Sequence, residues 1–173
     1  MQLNVLITEL PAEIGQLTNF VELDLKGTDL TRLPSEIGNL TQLTYLDLEA
    51  NALSELPKNF SKLTNLTILD LSTNQLTEFP SELLTLRNLE YLDISRNCLT
   101  ELPQEIGNLT KLTSLNLSFM LGCSEDPRSY EDRPDYLSAL ANLIEERGHG
   151  IIDKTYNVKY LTELPRELFD LII

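Results

Sequence analysis

Leu-Pro or Phe-Pro pairs fall at Leu10-Pro11, Leu33-Pro34, Leu56-Pro57, Phe79-Pro80 and Leu102-Pro103, each 23 residues after the last. Full units begin at Leu17, Leu40, Leu63 and Leu86, and a fifth starts at Leu109 and then loses the pattern. A fixed period of this length means a stack of like units, each burying its apolar face against its neighbours. It excludes an ordinary globule, where contacts cross the sequence freely. Leucine fills 38 of 173 positions while aromatics make up 6%, as expected when one slot is filled repeatedly by one residue type.

Within a unit, Thr44-Tyr45-Leu46-Asp47-Leu48-Glu49 alternates inward with outward positions, the period of a half-buried strand. One strand per unit, stacked in parallel, predicts a sheet with about 4.8 Å between strands. The slot Pro-x-Glu-Ile-Gly predicts a short helical or 3₁₀ turn opened by the proline. Glu13, Glu36, Glu82 and Glu105 fall in its first turn, where the backbone dipole favours anions. Asn51, Asn74 and Asn97 recur where the chain leaves the strand. An inward amide there can satisfy backbone groups of adjacent turns that water does not reach. Thr28, Val5 and Met120 occupy that slot elsewhere, so the ladder is expected to fail at both ends.

The string L-x-x-L-x-L-x-x-N-x-L, as in Leu43, Leu46, Leu48, Asn51 and Leu53, resembles the leucine-rich repeat. The 23-residue form with L-P-x-x-I-x-x-L is similar to the intracellular Ras-suppressor type, found also in bacterial repeat proteins and in the repeat arms of Roco-type GTPases. The resemblance covers residues 1–118 and, weakly, 161–173. It implies a right-handed α/β solenoid with a curved parallel sheet on the concave face and short helical or 3₁₀ segments on the convex face.

The expected organisation is a repeat array over 1–122, an insert over 123–160, and a terminal half-repeat over 161–173. The insert opens with a Pro-, Ser- and charge-rich loop. A helix over about 134–147 is predicted from Leu137, Leu140, Ala141 and Ile144 on one face and Gly148 as its stop. Formal net charge is −14, which argues against nucleic acid and anionic membrane as partners. No apolar run approaches the ~18 residues needed for a bilayer span. MQLNVLITELP has neither a basic n-region nor a small-residue cleavage site, so no signal peptide is read and a cytoplasmic location is expected, with a processed, secreted fragment as the alternative. Cys98 and Cys123 form no CxxC and read as free thiols of a reducing compartment. The Asn-X-Ser/Thr strings come mostly from the recurring phrase Asn-Leu-Thr and read as by-products of the repeat.

Catalytic signatures are missing. His149 is the sole histidine, in a Gly-His-Gly stop, with no second ligand nearby for a metal. Neither cysteine has a histidine at recognisable spacing. No enzyme activity, cofactor or metal is expected. Information should lie in the outward strand positions, which align as rows. The first strand row is Glu22, Tyr45, Ile68, Tyr91 and Ser114, and the next is Asp24, Asp47, Asp70, Asp93 and Asn116. The turns after the strands add Gly27, Ala50, Thr73, Arg96 and Phe119. Tyr45, Ile68 and Tyr91 are expected to point away from the core, and exposed aromatics with arginine are typical of interface anchors. The Asp row is open to two readings: a stripe for basic groups of a partner, or filler of the repeat, solvated and hydrogen-bonded to its neighbours. The expected function is non-catalytic protein recognition through Glu22, Tyr45, Asp47, Ile68, Asp70, Tyr91, Asp93, Arg96 and Phe119, with help from the insert. Two alternatives are a recognition arm of a larger signalling enzyme, of GTPase or ubiquitin ligase type, and an array that self-associates through poorly capped ends.

Overall fold

The computed structural model describes residues 8–99 and 102–117. Five three-residue strands, β1 (Glu22–Asp24), β2 (Tyr45–Asp47), β3 (Ile68–Asp70), β4 (Tyr91–Asp93) and β5 (Ser114–Asn116), form one parallel sheet in chain order. Each residue pairs with the one 23 positions later: Glu22 with Tyr45, Tyr45 with Ile68, Ile68 with Tyr91, Tyr91 with Ser114. The period is therefore the geometric repeat of a right-handed solenoid. Main-chain bonds carry the pairing past the strands, as from Gly27 N–H to the Glu49 carbonyl (2.8 Å) and Thr73 N–H to the Ser95 carbonyl (3.0 Å).

The return path of each turn is a 3₁₀ segment: Ala12–Gln16, Ser35–Asn39, Lys58–Lys62, Ser81–Thr85 and Gln104–Asn108. Five residues are too few for α-helical bonding to propagate, and the tighter i→i+3 pattern closes the turn instead. Each proline sits one place earlier than a first helical residue. Pro34, for example, is extended at φ −69°, ψ 151°, and its carbonyl accepts from Ile37 N–H at 3.1 Å. The predicted acidic residues stand in the first turns of four segments.

Inward leucines pack as rows. Leu46, Leu69, Leu92 and Leu115 meet in register and are fully buried, as are Leu43, Leu66 and Leu89 one slot earlier. The 3₁₀ segments pack closely behind them. A Cβ built on Gly38 would lie 2.2 Å from the Asn59 carbonyl oxygen, and that neighbour is backbone and cannot swing aside. Gly38→Ala should therefore force adjacent turns apart and cost about 1–3 kcal/mol. Urea denaturation checks this; an unchanged midpoint would mean that the turns are not in contact.

The asparagine ladder forms as the sequence implies. Asn74, 7% exposed, donates from Nδ2 to the carbonyls of Leu48, Leu71 and Ser72, and its Oδ1 accepts from Leu53 N–H. Asn97 repeats the pattern one turn on, with Leu71, Ile94, Ser95 and Leu76. Asn51 does so one turn earlier. The first full unit corrects the expectation of a broken ladder. Thr28 Oγ1 lies 2.8 Å from the Leu25 carbonyl and 3.0 Å from Asn51 Oδ1, so a shorter hydroxyl takes over part of the role. Val5 and Met120, like the insert and the terminal half-repeat, lie outside the described residues.

Candidate functional site

The face opposite the leucines carries the aligned outward rows. At its centre Ile68 is 39% exposed, with the half-buried Tyr45 and Tyr91 on either side in register. Glu22 on β1 and Arg96 in the turn after β4 are exposed. Eight of the nine predicted partner-binding residues thus belong to this one sheet and its exit turns; Phe119 lies outside the described residues. The tyrosines do not stand free of the scaffold as expected. Each leans along its strand, Tyr45 Oη reaching Asp47 Oδ2 at 3.3 Å and Tyr91 Oη reaching Asp93 Oδ2 at 3.4 Å. The burial of Tyr45, with Asp47 beside its hydroxyl, raises its pKa.

The aspartate row is hydrogen-bonded to its neighbours, as one of the two readings had it, but is less solvated than that reading implied. Asp47 and Asp93 are 8% and 7% exposed, too buried for a simple solvated stripe. Each aspartate of the four strands folds back to accept the main-chain N–H two residues on: Lys26, Glu49, Ser72 and Ser95, at 2.8–3.0 Å. The carboxylates therefore tie the chain as it leaves the strand, a local side-chain to main-chain closure. Asn116 Nδ2 adds a bond to Asp93 Oδ2 at 2.7 Å. Lys26 bridges to Glu49 across the β1–β2 exit, and that hydrogen bond raises the lysine pKa.

Asp70 shares this closure but lacks the tyrosine hydroxyl that Asp47 and Asp93 receive. It is half-buried, and that burial is the main cause of a raised pKa, helped by the charges of Asp93 and Asp47 and opposed by hydrogen bonds from Ser72. A carboxyl whose pKa rises on folding favours its protonated form in the fold. Its stability contribution is intact at low pH and is lost as pH rises through the folded-state value. Asp70→Asn should accordingly raise the melting temperature at neutral pH, and the gain should vanish in acid. Thermal melts at about pH 7 and about pH 3 bracket that titration. A variant less stable than the parent at neutral pH would mean that the ionised carboxylate helps the fold.

The exit turns hold a feature that Gly27 alone flags in the sequence. Ala50, Thr73 and Arg96 have φ of 56°, 56° and 53°, the left-handed region that the first full unit enters with Gly27 at 62°. The period carries one backbone shape through the four full units, whatever residue occupies it. A β-branched residue there is strained by ~1–3 kcal/mol. Thr73→Gly should then stabilise the array by up to about 1 kcal/mol net of glycine's extra chain entropy; a loss of stability in chemical denaturation would contradict this. Two further ladders were also missed. Thr44, Thr67 and Thr113 bond through Oγ1 to the main-chain carbonyls of Val21, Thr44 and Glu90. Asn65 and Asn88 donate to the carbonyls of Thr41 and Thr64, both at 2.8 Å. The available signal was the 23-residue recurrence of Thr at 44, 67 and 113 and of Asn at 65 and 88.

Three carboxylates, Asp47, Glu49 and Asp70, bring oxygen atoms within 4.8 Å of one another. They make a poor cage for a cation, because Asp47 is engaged by Tyr45 and the Glu49 amide, and Glu49 by Lys26. The expectation of free thiols also changes: Cys98 is disulfide-bonded. The chain's other cysteine, Cys123, lies 25 residues on in the sequence and outside the described residues. Among the described residues no helix is long and apolar enough to cross a membrane.

A family model described as "Leucine-rich repeat region" matches residues 35–147. Among solved structures, a leucine-rich repeat protein of Leptospira interrogans is similar, with 42% identity and a TM-score of 0.63 over 64% of this chain and 28% of its own. An internalin of Listeria monocytogenes is similar at 28% identity and a TM-score of 0.57, over 73% of this chain and 37% of its own. The chain thus spans about a third of the length of these structures. No curated protein matches it significantly.

Proposed function

This chain belongs to the leucine-rich repeat family, and from that premise we propose that it is a non-catalytic recognition module whose concave strand face binds a protein partner. The row Tyr45, Ile68 and Tyr91 carries the reading. It places two aromatic rings and an exposed isoleucine at the middle of a sheet whose other face is a closed leucine core. Rigid aromatic area beside an exposed arginine, Arg96, is the composition of interface anchors. Five strands at about 4.8 Å span only ~24 Å, and the flat face offers on the order of 300 Å². A standard interface needs roughly 800 Å² per partner. A stable partner must therefore also touch the exit turns or residues 123–160, and deleting 123–160 should weaken binding.

Affinity capture with the intact chain, repeated with Tyr45→Ala/Tyr91→Ala, tests the reading. Partners of the strand face are retained by the parent and lost by the variant. An identical captured set would move the site off this face. Self-association has its own support, since Leu17, Phe20 and Val21 of the first full unit are 40–50% exposed. A mass that rises with concentration in light scattering would favour it. The disulfide at Cys98 is chemistry of an oxidising compartment, and for that reason we place the module there and not in the cytoplasm. Reductant should lower the melting temperature; no change would return the chain to a reducing environment.

A further inference from the structure

The strand face repeats with a break at its centre. Tyr45 covers Asp47 and Tyr91 covers Asp93, each hydroxyl bonded to the carboxylate two residues on. Between them in register stands Ile68, which has no hydroxyl to give. Asp70 consequently takes its carboxylate hydrogen bonds from Ser72 alone among the described residues, with no tyrosine hydroxyl over it at the middle of the face. Lys26, in the exit turn of β1, is committed to Glu49.

We propose that the gap over Ile68 receives one arginine side chain of a protein partner, its guanidinium paired with the Asp70 carboxylate between the rings of Tyr45 and Tyr91. The proposal rests on the strand face being the partner-binding surface. Tyr45 and Tyr91 are two strands apart, so their main chains are separated by about 10 Å. A cation midway lies about 5 Å from each column, within the ~6 Å reach of an aromatic face. Ile68 supplies an apolar floor for the methylene stem. Asp47 and Asp93 on the adjacent strands raise the negative potential around Asp70, which a positive charge would relieve. The net charge of −14 draws basic segments toward the molecule. Arginine fits better than lysine because its planar, weakly hydrated fork stacks on rings and pairs with carboxylate through two parallel bonds. A divalent ion fits worse, since Asp70 alone of the nearby carboxylate trio is not engaged by a tyrosine or lysine side chain.

Phage-displayed random dodecapeptides selected on the intact chain provide the probe. The expected result is enrichment of peptides with one invariant arginine. Replacing that arginine by its neutral isostere citrulline in a synthetic peptide should weaken binding at least tenfold. Asp70→Asn in the chain should weaken the arginine peptide comparably, and the two changes together should add little more. The melting temperature of Asp70→Asn, expected to rise at neutral pH, shows that the variant is folded. Enriched peptides that lack arginine but lose binding to Tyr45→Ala/Tyr91→Ala would overturn the arginine pocket and leave the strand face as the site. Peptides indifferent to both sets of variants would overturn both readings. Binding that requires added Ca²⁺ without arginine preference, or no peptide enriched above background, would also overturn the pocket.

Discussion

Asn74→Leu should cost at least about 3 kcal/mol and lower the melting temperature by more than any surface change. The substitution removes three donated bonds and one accepted bond at a side chain that is 7% exposed. It leaves the Leu48 carbonyl and the Leu53 amide, which belong to the preceding turn, without this partner. Each buried polar group so orphaned costs about 1–3 kcal/mol. Leucine is of similar size, so the loss reports hydrogen bonding and not a cavity. In a stack where each unit contacts only its neighbours, weakening a central interface should also broaden the transition as the two halves uncouple. Urea unfolding followed by circular dichroism measures both effects. A parent-like midpoint would mean that the amide is not inside the turn.

Leu69→Ala should cost about 2–5 kcal/mol for a different reason. Leu69 is fully buried in the central strand, with Leu46 and Leu92 on either side in register. Truncation leaves a cavity that the flanking strands cannot close without breaking their own pairing. The same truncation at Leu23, which is only partly buried in the first strand, should cost distinctly less. Equal losses at the two positions in thermal melts would show that the end of the stack is as well packed as its middle.

The contrast between these scaffold residues and the face they support explains what the sequence made legible. Inward leucines, the asparagine slot and the Leu-Pro turn all answer one repeated packing problem, so their period alone located strands, core and ladder. The aspartate row answers a local one. Whether Asp47 points to solvent or folds back onto the Glu49 amide depends on the path of the main chain after the strand, which composition does not encode. The same path puts Thr73 and Arg96 at positive φ. Only Gly27, in the corresponding place one or more turns earlier, hinted at it. The tyrosines share a strand row with the exposed Ile68, yet their hydroxyls belong partly to the scaffold through Asp47 and Asp93. Asp70 became distinct only once its neighbours were seen to be covered.

That division between a leucine-and-asparagine scaffold and a tyrosine-centred surface is open to one direct measurement. The dissociation constant of a captured protein partner should be determined for the parent and for Tyr45→Ala/Tyr91→Ala at a temperature where both are fully folded. If each ring contributes more than about 1 kcal/mol, the double variant should bind about thirtyfold more weakly or worse. An unchanged dissociation constant would contradict the assignment of the strand face as the recognition surface.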